Sequence, residues 1–504
     1  MAVSTSVAGS TAAGAAPTAT DPGPPRAGGA TIALLVLSGL LGLVGTTYLA
    51  VAGHGLGLHL DEPDLWFFDD HSELTPDALG YDTARAWSSA ALGVWAAAWL
   101  LAGLAVRRGV RARWLLLVGL VWSVPLVIGP PLFTADPWFY GAIGNAVQLG
   151  VDPFEDGPGV LGDIAAVRGA EEFWRFSPTP YSPPFVLLLS GLSRLLDQGE
   201  LAMLVALRVL CVAAWAVCAV VVARIARHLG GSPSVAVWLG AVNPLVLLHL
   251  VSGNHNDALM LGLLLPGLLL ALLDRPLLGI VLCVGAAGIK ATALVVVLVI
   301  GVDWAQRQEG WPARLRALVL AGGLGAGLFA LSVQLSGYGW SFLGNLDTPG
   351  KALEALTPTT ALAFALDVDD PPIDGARQAG IVVAVVLGLL FLTRLRSWGL
   401  VRVTSWIALT VVLTGSVVWP WYLIWPTMLF AAAGVLAERL VVVLWSVALL
   451  FTVLPGGHPV FALYERPGPE QLVLVVLGVA VVAGLVHVGV SRRRRRRQPA
   501  GVPT

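Results

Sequence analysis

The sequence predicts an all-α, polytopic membrane protein of about fourteen transmembrane helices. Of its 504 residues 57% are apolar and only 12% are charged, far outside the range of soluble chains. The apolar residues gather into runs long enough to cross a bilayer, or nearly so. The charges between the runs are sorted by sign, as they are when alternate loops face opposite sides of a membrane.

Residues 1–30 are mostly Ala, Thr, Gly and Pro and lack the basic segment and short apolar core of a cleaved signal, so they read as a disordered cytoplasmic tail. Apolar runs follow near 31–53, 85–106, 114–132, 201–223, 233–250, 257–273, 276–289, 291–302, 317–335, 379–393, 403–418, 421–436, 440–454 and 470–490. Together they define a transmembrane domain over 31–490, with the first large polar loop, 133–184, after the third run and a second, 336–378, further on. A basic cytoplasmic tail, 491–504, closes the chain. The runs 276–289 and 291–302 are too short to span untilted and predict a hairpin of short helices meeting at Lys290, a pattern tolerated where the turn lines a cavity. Cys211, Cys218 and Cys283 all lie inside apolar runs, which indicates packing rather than a disulfide framework or a metal site. No internal repeat is visible, which argues against transporter folds built from paired halves.

Charge sets the orientation. Loops 54–84, 133–181 and 336–378 hold 21 of the 31 acidic residues, and their basic residues are only Arg168, Arg175, Lys351 and Arg377. The opposite loops carry Arg107, Arg108, Arg111, Arg113, Arg224, Arg227, Arg307, Arg314, Arg316, Arg394, Arg396, Arg402 and the run Arg492 to Arg497. By the positive-inside rule the acidic loops face outward and both termini lie in the cytoplasm of a plasma-membrane protein. The short run Phe185 to Leu196 is read as interfacial, because a full crossing there would invert every later loop. The terminal arginines read as an orientation signal and an anionic-lipid anchor, and with a net charge of −1 nucleic acid is not an expected partner.

The loop 133–184 is too long and too polar to be a mere connection and reads as an active-site surface. It delivers Asp136 to the membrane face, followed by Trp138, Phe139 and Tyr140, with a short interfacial helix ending at Gly150. Asp152, Trp174 and the turn Pro178-Thr-Pro-Tyr181-Ser-Pro-Pro184 lie further along it. The same outer mouth gathers Arg208, Asn254-His255-Asn256-Asp257, Lys290 and Trp419-Pro-Trp421-Tyr422. Plainer roles stand beside these: Asp136 and Asp257 suit helix starts, the tryptophans suit an interfacial belt, and the histidine cluster has too few ligands for a metal. Arg208 and Lys290 resist such readings, since a cation inside a membrane segment costs roughly 2.5–3.5 kcal/mol unless paired or wetted. Lys290 is also one of two lysines beside 28 arginines. A carboxylate, embedded cations and an aromatic rim fit a substrate made of a lipid tail, a phosphate and a sugar.

The segments DPWFYGAIGNAVQLGVDPFEDGP, PTPYSPP, NPLVLLHLVSGNHNDALMLGLLL, GIKATAL and WPWYLIWP resemble the actinobacterial polyprenol-phosphomannose-dependent α-1,6-mannosyltransferases, membrane enzymes of the GT-C superfamily. The resemblance covers most of 31–490. It implies a GT-C helical bundle in which Asp136 is the general base, mannose passes with inversion from polyprenyl-phosphate mannose to an α-1,6-mannan acceptor of the lipomannan type, and no cofactor is needed. From their placement, rather than from the resemblance, Lys290 and Arg208 are expected at the donor phosphate. Tyr140, Asp152, Tyr181, His255, Asp257, Trp421 and Tyr422 are expected at the sugars. Two alternatives stay open at this point: a related enzyme using polyprenyl-phosphate arabinose or glucose, and a transporter or flippase of lipid-linked sugars.

Overall fold

A computed structural model of the chain describes residues 28–52, 81–351, 357–367 and 369–453, and every regular element among them is helical. The expected N-terminal tail, most of the 54–84 loop, the 470–490 run and the arginines at 492–497 lie outside the described residues.

Three helices open the bundle: α1 (Gly29–Ala52), α2 (Tyr81–Arg107) and α3 (Ala112–Ile128), with α1 packed along both of the others. Tryptophan does much of the packing. Trp122 of α3 lies against Gly42, where a Cβ would sit 2.1 Å from its indole nitrogen, so the approach requires glycine. The short helix α4 (Asp136–Gln148) pairs with α5 (Pro183–Leu195). The long α6 (Glu200–His228) then crosses the bundle. The next span is broken, with α7 (Pro233–Ala241) and α8 (Pro244–Ser252) meeting at 46°. Asn243 and Pro244 cause the break. Proline removes a helical donor, while the Asn243 side chain accepts from Leu245 N and donates to Leu239 O and to Ser446 Oγ. Trp99 of α2 and Trp238 of α7 stack at 5.1 Å and donate to each other's carbonyls, tying this span to the first three helices.

The remaining helices of ten or more residues are α9 (Asp257–Leu272), α10 (Pro276–Ala287), α11 (Leu294–Gln306), α12 (Trp311–Leu335), α13 (Ile373–Leu392), α14 (Leu400–Thr414), α15 (Ile424–Ala433) and α16 (Leu436–Leu449). Helices therefore stand at each expected apolar run up to residue 454. Among the described residues five are long and apolar enough to cross a membrane, α1, α2, α6, α12 and α13, and the bent pair α7–α8 makes a sixth. Among the described residues, which do not include the 470–490 run, the expected count of fourteen is not reached on length and composition, because α9, α10, α11, α14 and others are 10–17 residues long.

The bundle has two chemically distinct ends. At one, Ser234 Oγ donates to Val110 O, Arg396 reaches Gln306 O, and Arg402 pairs with the buried Glu438, so the arginine-rich turns gather there. The other end receives the start of α4, the turn at Lys290 and the segment 419–423. The start of α5 lies there too, with Ser182 Oγ donating to Ala287 O, and just beyond its last turn Gln198 O accepts from Asn145 of α4. With 13 residues α5 spans about 20 Å and lies beside α4.

Candidate active site

The site is built where three chain breaks meet. The first lies between α3 and α4. Phe133 adopts a φ of +59°, a left-handed conformation rare for a bulky side chain, and turns the chain so that α4 starts at Asp136. Thr134 Oγ1 accepts from Asp136 N at 3.1 Å, and Pro137 in the first turn costs no helical donor. A carboxylate at a helix N-terminus sits in the favourable end of the helix dipole.

The second break is the stretch between α8 and α9. Asn254 takes a φ of +49°, which asparagine tolerates better than most residues. The turn brings His255 Nδ1 to 3.0 Å from Asp136 Oδ2, across 119 residues of sequence. Tyr140 OH, one turn along α4, donates to the same oxygen at 2.9 Å. Burial opposes the charge on Asp136, but the attraction of His255 and the hydrogen bonds from His255 and Tyr140 hold its carboxyl below the usual range. Burial first, and the Asp136 charge second, push the Tyr140 phenol well above its usual value, so it stays a donor.

The third break separates α10 from α11. Lys290 Nζ donates to Asp257 Oδ2 at 2.7 Å and lies 4.5 Å from the ring centre of Tyr422 and 5.5 Å from that of Trp425. Asp257 is fully buried, and its other oxygen accepts from Trp425 Nε1. The cation thus has a carboxylate behind it and aromatic faces beside it.

Asp136 and Lys290 both line a cavity of about 780 Å³, with Trp174, Tyr181, Trp421 and Tyr422 among its walls and Glu171, Glu172, Arg168 and Arg175 from the 133–184 loop. A second chamber of about 180 Å³ shares Pro180, Tyr181, Lys290, Pro349 and Tyr422 with it and continues among Leu346, Val411, Val412, Val417 and Trp425. A polar compartment and an apolar one therefore meet at Lys290.

Of the residues expected from the sequence, Asp136, Tyr181, Lys290, Trp421 and Tyr422 line the cavity. Tyr140, His255 and Asp257 stand directly behind them, fully or almost fully buried. They hold the lining residues in place, a correction to the sugar contacts expected of them. Trp421 stacks on His255 at 4.1 Å and on Trp419 at 5.0 Å, which makes it a wall of the site as well as part of an aromatic belt. Arg208 requires a larger correction. The residue is 4% exposed and outside the cavity lining, and its guanidinium donates to Leu126 O, Val127 O and Gly129 O at the end of α3, to Ser252 O at the end of α8 and to Asn254 Oδ1. It caps two helix C-termini, where carbonyls lack partners and positive charge is favoured. Asp152 is likewise outside the lining and holds its own turn, accepting from Phe154 N at 2.9 Å.

The acidic rim was not anticipated. Glu171 and Glu172 reach the cavity, and burial together with the nearby Asp136 charge raises the Glu171 carboxyl above its usual range. Arg168 and Arg175 offered a signal, since they are half of the basic residues in the acidic loops.

Residues 39–306, more than half the chain, match the family profile described as "Alpha-(1->6)-mannopyranosyltransferase, N-terminal domain". The chain belongs to this family. A second profile, "MptB C-terminal domain", matches residues 355–488. The chain is 28% identical to a probable alpha-(1->6)-mannopyranosyltransferase of Mycolicibacterium smegmatis over 81% of its own length and 80% of the relative's. It is 29% identical to alpha-(1->6)-mannopyranosyltransferase A of Mycobacterium tuberculosis over 69% and 70% of the two chains. Over about a third of each chain (34% and 35%) it is 33% identical to alpha-(1->6)-mannopyranosyltransferase A of Corynebacterium glutamicum. No solved structure matches it. The protein is a membrane hexosyltransferase that transfers mannose, and the flippase alternative falls away.

Proposed function

We propose that this mannosyltransferase takes its sugar from polyprenyl-phosphate mannose and adds it to an α-1,6-mannan acceptor of a lipomannan-type envelope glycolipid, with the reaction on the external face and both termini in the cytoplasm. Asp136 is the general base. It takes the proton of the acceptor hydroxyl as that oxygen bonds to the anomeric carbon; the bond from that carbon to the phosphate oxygen breaks, and the electron pair leaves with polyprenyl phosphate. Attack opposite the leaving group inverts the anomeric centre.

The observation that supports this reading is the meeting of two compartments at Lys290. A sugar and its acceptor fit the polar cavity, whose volume is in the range of small-molecule sites, while the apolar chamber suits the first part of an isoprenoid tail. Lys290 then stands beside the phosphate that joins the two and balances the charge that develops on it. Arg168 and Arg175, on the cavity wall, replace Arg208 as further cations within reach of the substrate's anionic parts.

The test is transfer of labelled mannose by membranes or detergent-purified enzyme. Polyprenyl-phosphate mannose is expected to serve as donor and nucleotide-linked mannose to fail. Asp136→Asn keeps the size of the side chain and removes the base, so the turnover rate falls by about 10²- to 10⁴-fold. Wild-type turnover in that variant, at normal abundance, would discard the base assignment. Equal or better use of polyprenyl-phosphate arabinose or glucose would discard the sugar.

A further inference from the structure

The two oxygens of Asp136 are not equivalent. Tyr140 OH and His255 Nδ1 both bond to Oδ2, at 2.9 and 3.0 Å, and no hydrogen bond to Oδ1 is found among the described residues. The carboxylate side chain is 17% exposed, whereas the His255 side chain is fully buried and the Tyr140 residue almost so. Asp136 itself lines the cavity, while Tyr140 and His255 do not.

We infer that Tyr140 and His255 are positioning residues that clamp Oδ2 and so designate Oδ1 as the oxygen that removes the acceptor's proton. This rests on the reading of Asp136 as the base. An ionised carboxylate has only acceptors, so the clamp requires a proton on His255 Nδ1. His255 is fully buried among its neighbours. One face is stacked on Trp421, and His249 lies 5.4 Å away behind it. Its backbone is fixed from two sides, with N donating to His249 O and O accepting from Cys211 Sγ of α6. Two donors on one oxygen also fix the rotation of the carboxyl group, since any turn of the group breaks both bonds together. The base is thereby oriented before the acceptor arrives, which is how positioning contributes to rate.

The substitutions that test this differ in where they place a donor. His255→Asn puts an amide N–H near the position of Nδ1, His255→Gln puts one near Nε2, and His255→Ala removes both. Turnover is expected to fall tenfold to a hundredfold in the alanine and glutamine variants and to recover most of that loss in the asparagine variant, with the KM for polyprenyl-phosphate mannose little changed. Tyr140→Phe, which alters packing least, is expected to lose about tenfold in turnover. The combination of Tyr140→Phe with His255→Ala should lose no more than Asp136→Asn, because all three act through one carboxylate. Abundance in the membrane and melting in detergent are followed for each, and Tyr140→Phe and His255→Asn carry the test if His255→Ala does not accumulate. Wild-type turnover in Tyr140→Phe, or an asparagine variant as poor as the glutamine one, would overturn the clamp while leaving Asp136→Asn inactive. Full activity in Asp136→Asn would instead overturn the base on which the clamp rests.

Discussion

Arg208 and Lys290 are both cations placed among apolar helices, and they differ in what satisfies them. Arg208 spends its guanidinium on four carbonyls and one side-chain amide, all within the fold. Lys290 gives one bond to Asp257 and keeps a partly exposed ammonium on the cavity wall. The first is a structural clamp between two helix ends. The second is a charge held ready for something that enters. The lesson is that the cost of placing a cation in a membrane demands partners but does not say whether they come from the chain or from a ligand.

The sharpest way to break this contrast is to treat the two residues alike. Arg208→Met leaves the carbonyls of Leu126, Val127, Gly129 and Ser252 without that donor, and each such loss costs about 1–3 kcal/mol. The variant is expected to vanish from membranes, and Arg208→Lys to rescue it poorly, because three ammonium hydrogens cannot replace the guanidinium fork. A normally abundant, active Arg208→Met enzyme would place the clamp reading in error. Lys290→Met alone mixes two effects, since it strands Asp257 in the interior at a cost of about 3–5 kcal/mol. The pair Lys290→Met with Asp257→Asn removes that penalty. It is expected to melt at a higher temperature than Lys290→Met and still to show a KM for the lipid donor raised tenfold or more. A normal KM in the pair would remove Lys290 from the donor site.

The pH dependence sharpens the same picture on a smaller scale. Folded Asp136 binds its proton more weakly than the unfolded chain does. Its charge therefore adds stability above the ordinary aspartate value near pH 4, and that contribution is lost as pH falls through the folded value. For the same reason no acid limb in kcat/KM above about pH 5 belongs to Asp136. The Glu171 carboxyl is shifted upward by burial and by the Asp136 charge, so an acid limb to which it contributes should disappear in Glu171→Gln. Persistence of the limb in that variant would assign it elsewhere. The smallest effect is expected at Asp152: Asp152→Ala loses one turn hydrogen bond, about 1 kcal/mol of local stability, and changes turnover less than twofold.

Much of the architecture was legible because hydropathy and breakers are local. The apolar runs became helices, the short pair meets at Lys290, and Asp136 begins a helix after the third run. Asn243-Pro244 marks the broken span within a run that looked continuous, and the asparagine–proline pair was its only signal. The site was legible in part. Asp136, Tyr181, Lys290, Trp421 and Tyr422 belong to short motifs whose polar or aromatic residues interrupt apolar runs. The roles of His255, Asp257 and Arg208 were not legible, because they depend on lateral neighbours 33 to 168 residues away, and no periodicity encodes which helix stands beside which. The acidic rim escaped because glutamates in a polar loop look the same whether they face bulk water or a cavity.

The brevity of α10 and α11, 12 and 13 residues against 25 in α12, has a bearing on the surrounding lipid. Where such short elements face acyl chains, the hydrocarbon must thin to meet them or the helices must shift. Reconstitution into bilayers of graded chain length should therefore alter turnover with the headgroups held constant.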